Sequence, residues 1–227
     1  IMGAYPQNCG LKKEPIEWLV LKEEEHRCLC ISKYLLDCKP YHNISENIIW
    51  QNCSLRHWLN NEFLLSAFSV EEREKILLSN IINPTQNTQD YIFLLSADEV
   101  EDLFDDEIED WVDYDEREAM TTPFARQQGA WFLDENCDDD KKGCWWLRYY
   151  GHSYNEEGKY NFMSCVNFDG HIEYAAQGVE ETDSGKYTNY ITKSFYNELD
   201  EALFKSKGIF EKAGQYTFGD LTWLHQD

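Results

Sequence analysis

The chain is poor in positive charge, poor in proline and without a long apolar run. It has 43 acidic residues against 20 basic ones, a formal net charge of -23, and only 5 prolines. So negative a surface repels phosphate backbones and excludes ordinary nucleic-acid binding. It favours solubility, a cation or a basic protein partner. No apolar stretch reaches the length of a membrane-spanning helix. No Cys-x-x-Cys pair occurs among the 8 cysteines, so the zinc signal is poor. No phosphate-cradling glycine loop, nucleophile elbow or internal repeat is present. The acidic stretch from Asp98 to Glu118, with Arg117 its only basic residue, lacks the Asp-x-Asp-x-Asp-Gly spacing of a calcium loop. Its clustered carboxylates offer only a weak case for calcium, and no other cofactor is expected.

What is present is aromatic. Hydrophobic residues make up 42% of 227 positions and aromatic ones 15%, with 8 Trp and 14 Tyr. A disordered chain is thereby excluded. Tyr and Trp serve cores, and they also serve recognition surfaces, where a large rigid body carries a polar tip. Cys28 and Cys30 alternate on one face of an expected strand and read as packing. Cys137 and Cys144 flank an acidic loop that a disulfide would close. A chain of this size does not need such staples, which favours reduced, buried thiols. The chain starts at Ile1, which reads as a trimmed start, so a cytoplasmic location and a secreted or surface one both stay open.

Periodicity organises the chain. Residues 16–21 and 27–32 are β-prone and flank a polar turn at 22–26, an N-terminal hairpin. Asn52 or Ser54 is expected to cap a helix presenting Leu55, Trp58, Leu59, Phe63 and Leu64 on one face. His57 is placed beside Trp58 on that face, in a structural role. Ser69 with Glu72, and Ser96 with Glu99, form capping boxes. The first opens a helix expected to carry Ile76 and Leu77, the second one with Val100, Leu103 and Phe104. Residues 91–95 read as a short buried strand. Thr122-Pro123 starts a short helix that Gly129 can end. Residues 144–148 read as a core strand, and 161–167 and 171–174 as strands joined at Asp169-Gly170. These elements predict an α+β fold with two to four helices and a small antiparallel sheet.

Several words recur in a recognisable order. They are Met2-Gly3-Ala4-Tyr5-Pro6-Gln7, Pro15-Ile16-Glu17-Trp18-Leu19-Val20-Leu21, Leu36-Asp37-Cys38-Lys39-Pro40-Tyr41, Ser54-Leu55-Arg56, Trp58-Leu59-Asn60, Phe93-Leu94-Leu95-Ser96, Trp145-Trp146-Leu147-Arg148 and Val166-Asn167 with Asp169-Gly170. Together they resemble a bacterial family of domains of unknown function, common in gut Firmicutes. That family looks related to the C-type-lectin-like fold of formylglycine-generating enzymes, and some members look like the variable proteins of diversity-generating retroelements. The resemblance spans about residues 1–175. It implies a C-type-lectin-like domain over 1–180, with a divergent C-terminal extension over 181–227. Two departures stand out: Tyr149-Tyr150-Gly151 follows Arg148 where the family has Ser-Pro-Gly, and the closing Arg-Pro-Ala-Leu word is missing.

The resemblance further implies that the residues after Arg148 meet a ligand. The candidate ligand-binding residues are Tyr149, Tyr150, His152, Tyr154, Asn155, Tyr160, Asn161, Asn167 and Tyr174. Tyr with Asn, Ser and His is the mixture of rigid aromatics and adaptable polar groups found in paratopes. Trp145, Trp146 and Leu147 read as core, and Arg148 as a residue that pins an acidic segment or touches a ligand. The leading expectation is a non-catalytic domain that binds a protein or glycan, with no membrane span and no nucleic acid. Two alternatives stand beside it. One is a formylglycine-generating-like thiol oxidase using Cys137, Cys144 or Cys165. The other is an acidic inhibitor or decoy of a basic protein.

Overall fold

The computed structural model describes residues 2–43, 48–84, 86–104, 115–130, 132, 141–148, 162–176, 178–181, 187–190, 216–217 and 221–225. In chain order the N-terminal strands are β1 (Ala4–Pro6), β2 (Lys13–Pro15), β3 (Trp18–Glu24), β4 (Arg27–Ser32), β5 (Tyr34–Leu35) and β6 (Cys38–Lys39). Helices α1 (Ser54–Trp58), α2 (Leu64–Ala67) and α3 (Val70–Arg73) follow, then strands β7 (Ser79–Ile81) and β8 (Thr88–Asp90) and helix α4 (Ala97–Phe104). Strand β9 (Ala119–Thr121), helix α5 (Pro123–Gln127) and strands β10 (Lys142–Gly143), β11 (Trp145–Trp146), β12 (Phe162–Val166) and β13 (Ile172–Ala176) come next. The last described strands are β14 (Gly178–Glu181), β15 (Tyr187–Tyr190), β16 (Tyr216–Thr217) and β17 (Leu221–His225).

This is a mixed α and β architecture of several small sheets and short helices. The sheet order is β13-β12-β11-β16-β6 in one and β17-β4-β3 in another, with β10-β9-β5 and three two-stranded ribbons beside them. Pairing is antiparallel except for β11 with β16 and β5 with β9. The tail strands join the front of the chain: β17 pairs with β4, and β16 lies between β6 and β11.

Several elements form as local chemistry dictates. The first hairpin is present, but β3 runs on to Glu24, so the turn is shorter than the polar composition suggests, and the register shifts between Val20 and Lys22. Ser69 and Glu72 complete their capping box. The helix after it ends at Arg73, so Ile76 is buried outside any helix. Thr122 caps α5 by accepting from the Ala125 amide at 3.0 Å, with Pro123 at the first position. Between β12 and β13, the Gly170 amide donates to the Asn167 carbonyl at 3.2 Å, and Gly170 takes φ +80°, as a three-residue hairpin loop requires.

The cap of α1 is Cys53, whose Sγ accepts from the Arg56 amide at 3.3 Å, in place of Asn52 or Ser54. A π-helical turn over Leu59–Phe63 joins α1 to α2, and this run buries Leu55, Leu59, Phe63, Leu64 and Ala67. His57 is exposed, turned off the apolar face expected for it. Phe63 is an aromatic hub, with ring centroids of Tyr5, Trp58 and Phe68 at 5.0, 5.2 and 6.0 Å. Apart from a lone bridge at Phe93, residues 92–95 are buried without being a strand, and Tyr91, expected to be buried with them, is exposed. The strand ahead of them is β8, paired with β7.

The N-terminal segment is tied down by a carboxylate and a glycine. Glu72 accepts from the Gly3 amide at 2.8 Å as well as from Ser69, and the Gly3 carbonyl accepts from the Ile16 amide at 3.1 Å. Gly3 takes φ +74°, and a Cβ there would lie 2.6 Å from the Phe68 ring. Gly3→Ala therefore adds backbone strain to a ring clash and is expected to cost on the order of 3 kcal/mol in urea unfolding. Burial acts to raise the Glu72 carboxyl, but the Gly3 and Ser69 amides outweigh it and hold it below the usual 4.5. A depressed carboxylate stabilises above its unfolded value and stops doing so as it protonates. Stability should thus fall as the pH drops through 4.5 and below, more steeply in the native chain than in Glu72→Gln.

Candidate functional site: an arginine-pinned hairpin base

The Trp145-Trp146-Leu147-Arg148 word brings four buried side chains to the centre of the molecule. Trp145 and Trp146 pair with Val166 and Cys165 across β11 and β12. The Trp145 indole donates to the Arg117 carbonyl, and that of Trp146 to the Lys39 carbonyl, both at 3.1 Å. The Leu147 amide donates to the Ser164 carbonyl at 2.8 Å, and the Arg148 amide to the Leu95 carbonyl at 2.7 Å. The Arg148 carbonyl accepts from the Tyr41 hydroxyl at 2.9 Å.

The Arg148 side chain is fully buried, and its donors meet five acceptors. Nε donates to Asn83 Oδ1 at 2.9 Å. Nη1 donates to the Leu94 carbonyl and to Glu99 Oε2, the latter at 3.1 Å. Nη2 donates to Glu99 Oε1 at 2.9 Å and to the Ile82 carbonyl at 3.4 Å. A guanidinium has five N–H donors in a fixed plane, and only a fork of this kind makes its burial tolerable. Glu99 serves twice: it also accepts from the Ser96 amide at 2.9 Å, while its own amide donates to Ser96 Oγ at 3.1 Å. The capping box thus aims the counter-ion of Arg148.

A second buried carboxylate extends this network. Asp90 accepts from Arg56 Nε at 2.7 Å, from the Trp50 indole at 3.0 Å and from Thr88 Oγ1 at 2.7 Å. Thr88 Oγ1 accepts in turn from Asn83 Nδ2 at 3.3 Å, which links Asp90 to Arg148 through Asn83. The sequence alone singled out neither Asn83 nor Glu99 as an Arg148 partner, nor Asp90 as the Arg56 partner, although the Ser96–Glu99 capping box was a usable signal for Glu99.

Seven of the expected ligand-binding positions, Tyr149, Tyr150, His152, Tyr154, Asn155, Tyr160 and Asn161, lie outside the described residues. Tyr174 stands in β13 opposite Ser164. Asn167, expected to be exposed, is 5% exposed, and its Oδ1 accepts from the Asp169 amide at 2.9 Å. Its side chain is spent on closing the hairpin loop, which is what an Asn-x-Asp-Gly turn asks of it.

The thiols near this base are enclosed. Cys144 and Cys165 are buried; Cys137, the third oxidase candidate, lies outside the described residues. Elsewhere, burial, and for Cys30 the Cys28 thiol 3.6 Å away, push Cys30 and Cys53 up to about 12. Such thiols stay protonated near neutrality and are poor nucleophiles. Ser54 and His42 also meet, with His42 Nδ1 2.9 Å from Ser54 Oγ. That nitrogen already accepts the Ser54 amide at 3.1 Å, and Ser54 Oγ accepts the Asn43 amide at 3.2 Å. The pair fastens the turn after Tyr41 to the start of α1. Among the described residues, no group of three or more His, Cys, Asp or Glu side chains is arranged to hold a metal ion. No described helix is long and apolar enough to cross a membrane.

Arg148→Lys keeps the charge but loses the fork, leaving Asn83 Oδ1 and the Ile82 and Leu94 carbonyls short of donors. Chemical unfolding should show a loss of about 3 kcal/mol. Glu99→Gln should cost less, about 1–2 kcal/mol, because the Glu99 side chain keeps contact with solvent.

No curated protein and no solved structure matches the chain. A family model described as Domain of unknown function (DUF6273) matches residues 25–183, more than half of the sequence, and its span contains Arg56, Asn83, Asp90, Glu99 and Arg148. The chain belongs to the DUF6273 family, a domain of unknown function.

Proposed function

We propose that the chain is a non-catalytic binding module of C-type-lectin-like type that offers residues 149–161 to a protein or glycan ligand. The observation that carries this reading is the Arg148 anchor. It stands at the residue before the segment, and β12, which begins at the residue after it, pairs with β11. Recognition segments are commonly carried on rigid bases, because a fixed attachment lowers the ordering cost of binding. Tyr149, Tyr150, Tyr154 and Tyr160 with His152, Asn155 and Asn161 supply the aromatic and polar mixture that such segments use.

The burial of Cys144 and Cys165 weighs against the thiol-oxidase alternative, since a redox thiol has to reach its substrate as a thiolate. The net charge of -23 favours the second alternative, an acidic surface that occupies a basic protein.

The test is affinity capture and glycan-array binding with the whole chain against Tyr149→Ala/Tyr150→Ala. The reading expects bound partners to fall by about tenfold or more on the double variant with an unchanged unfolding midpoint, a tenfold change being about 1.4 kcal/mol. Equal retention of the same partners would sink it. Partners retained by the double variant but released as salt rises from about 0.1 to about 0.5 M would instead mark the acidic surface as the working feature.

A further inference from the structure

Cys28 and Cys30 hold their sulfurs 3.6 Å apart on a single strand. They stand two positions apart in β4, so both project from the same side of the sheet. Leu29 and Ile31 project from the other side and enter the main apolar core, whereas neither cysteine is part of that cluster. The pair does not serve the core.

The separation fits one shared atom better than a disulfide. Residues two apart in a strand have Cα atoms about 6.6 Å apart, and side chains leaving the same face start about as far apart. A disulfide needs Cβ atoms about 3.8 Å apart and sulfurs about 2.05 Å apart. Strand β4 is paired with β17 on one side and with β3 on the other, which keeps it extended and denies that approach. Two sulfurs bound to one atom at about 2.3 Å stand about 3.3 to 3.8 Å apart, for angles from a right angle to a tetrahedral one. The two thiols already lie within that range.

Ligand count and charge select the atom. Among the described residues, no group of three or more His, Cys, Asp or Glu side chains is arranged to hold a metal ion, so the pair offers two ligands and the centre brings the rest. Zinc takes three or four ligands from a protein, which excludes it here. Burial, and after it the neighbouring thiol, push Cys30 up to about 12, so the site resists an anionic complex such as a monovalent ion with two thiolates. A divalent ion in linear coordination is neutral, but it spreads its two sulfurs to about 4.6 Å. Trivalent arsenic meets every demand: it is pyramidal, it keeps one substituent of its own, and its product with two thiols is neutral.

The β3 side of the pair borders solvent. Directly opposed residues share a face; Val20 opposes Cys30 and Glu23 opposes Cys28. Both are exposed, Val20 by 59%. A thiol that turns over substrate needs standing access, whereas a long-lived ligand needs it once, through local opening of the sheet.

We propose that Cys28 and Cys30 form a chelating site for a trivalent arsenic compound that carries one organic group. An arsenic oxide R–As=O combines with the two thiols to give one arsenic bound to R and both sulfurs, and one water. Two As–S bonds form, the As=O bond breaks, both thiol protons leave on that oxygen, and no oxidant or reductant is needed. Val20 offers the apolar surface beside which R settles.

The probe is phenylarsine oxide, added in equimolar amount to the whole chain under nitrogen after reduction by a phosphine. Intact mass should show one adduct. Tryptic mapping should place it on the fragment 28–33, which follows Arg27, ends at Lys33 and holds Cys28 and Cys30 as its cysteines. The unfolding midpoint should rise, because the folded strand holds the two sulfurs ready. Cys28→Ser and Cys30→Ala should each weaken capture by about a hundredfold or more, since a single thiol loses the chelate. Cys9→Ser should leave capture unchanged, although Cys9 is exposed. Absence of an adduct, an adduct on another fragment, or an unchanged or lowered midpoint overturns the proposal. Undiminished capture by Cys28→Ser and Cys30→Ala does so as well. The mapping uses the native chain and decides even where a variant fails to fold.

Discussion

A guanidinium with no access to water dictates the arrangement around it. Burying a charge of that size is tolerated only when every donor finds an acceptor and a carboxylate neutralises it. Arg148 meets that demand by drawing on Asn83, Ile82, Leu94 and Glu99 with its side chain and on Leu95 and Tyr41 with its backbone. The loop after β7, the chain ahead of α4, the first turn of α4 and the strand-like segment before the first helices are thereby fixed relative to one another. The apolar layer of Trp145, Trp146 and Leu147 then packs against a frame whose polar contacts are already complete.

The same solution explains why 92–95 is buried without being a strand. Asn60 supplies what a neighbouring strand would: its Oδ1 accepts from the Tyr91 and Ile92 amides, and its Nδ2 donates to the Ile92 carbonyl at 2.8 Å. Arg148 takes over for Leu94 and Leu95. Buried backbone must be satisfied, but side chains can do it as well as a ladder can. Where side chains do so, no strand is recruited alongside.

Membership of a family of unknown function leaves the biochemical role to the site. The described residues hold a buried arginine anchor directly before a Tyr-rich stretch of the sequence and enclosed thiols, and the chain carries a net charge of -23. Burial leaves the Cys144 and Cys165 thiols without the access that covalent chemistry by a cysteine requires.

Sequence by itself determined the features whose partners lie within a few residues. The capping pairs Ser69–Glu72 and Ser96–Glu99, the Thr122-Pro123 start of α5, the first hairpin, the apolar face from Leu55 to Leu64 and the Asp169-Gly170 turn were all legible. In each, the donor and acceptor or the side-chain period is set by backbone geometry over one or two turns. Tertiary structure decided the rest. Arg148 reaches Asn83 across 65 positions and Glu99 across 49, and β17 reaches β4 from the far end of the chain. A residue type announces what bonds it needs but not which distant group will provide them. Thus the residue type of Asn167 does not announce that its oxygen accepts the Asp169 amide, and that of Arg148 does not announce that Glu99 is its counter-ion. Long-range pairing depends on which loops the packed core brings together, and that is a property of the assembled chain alone.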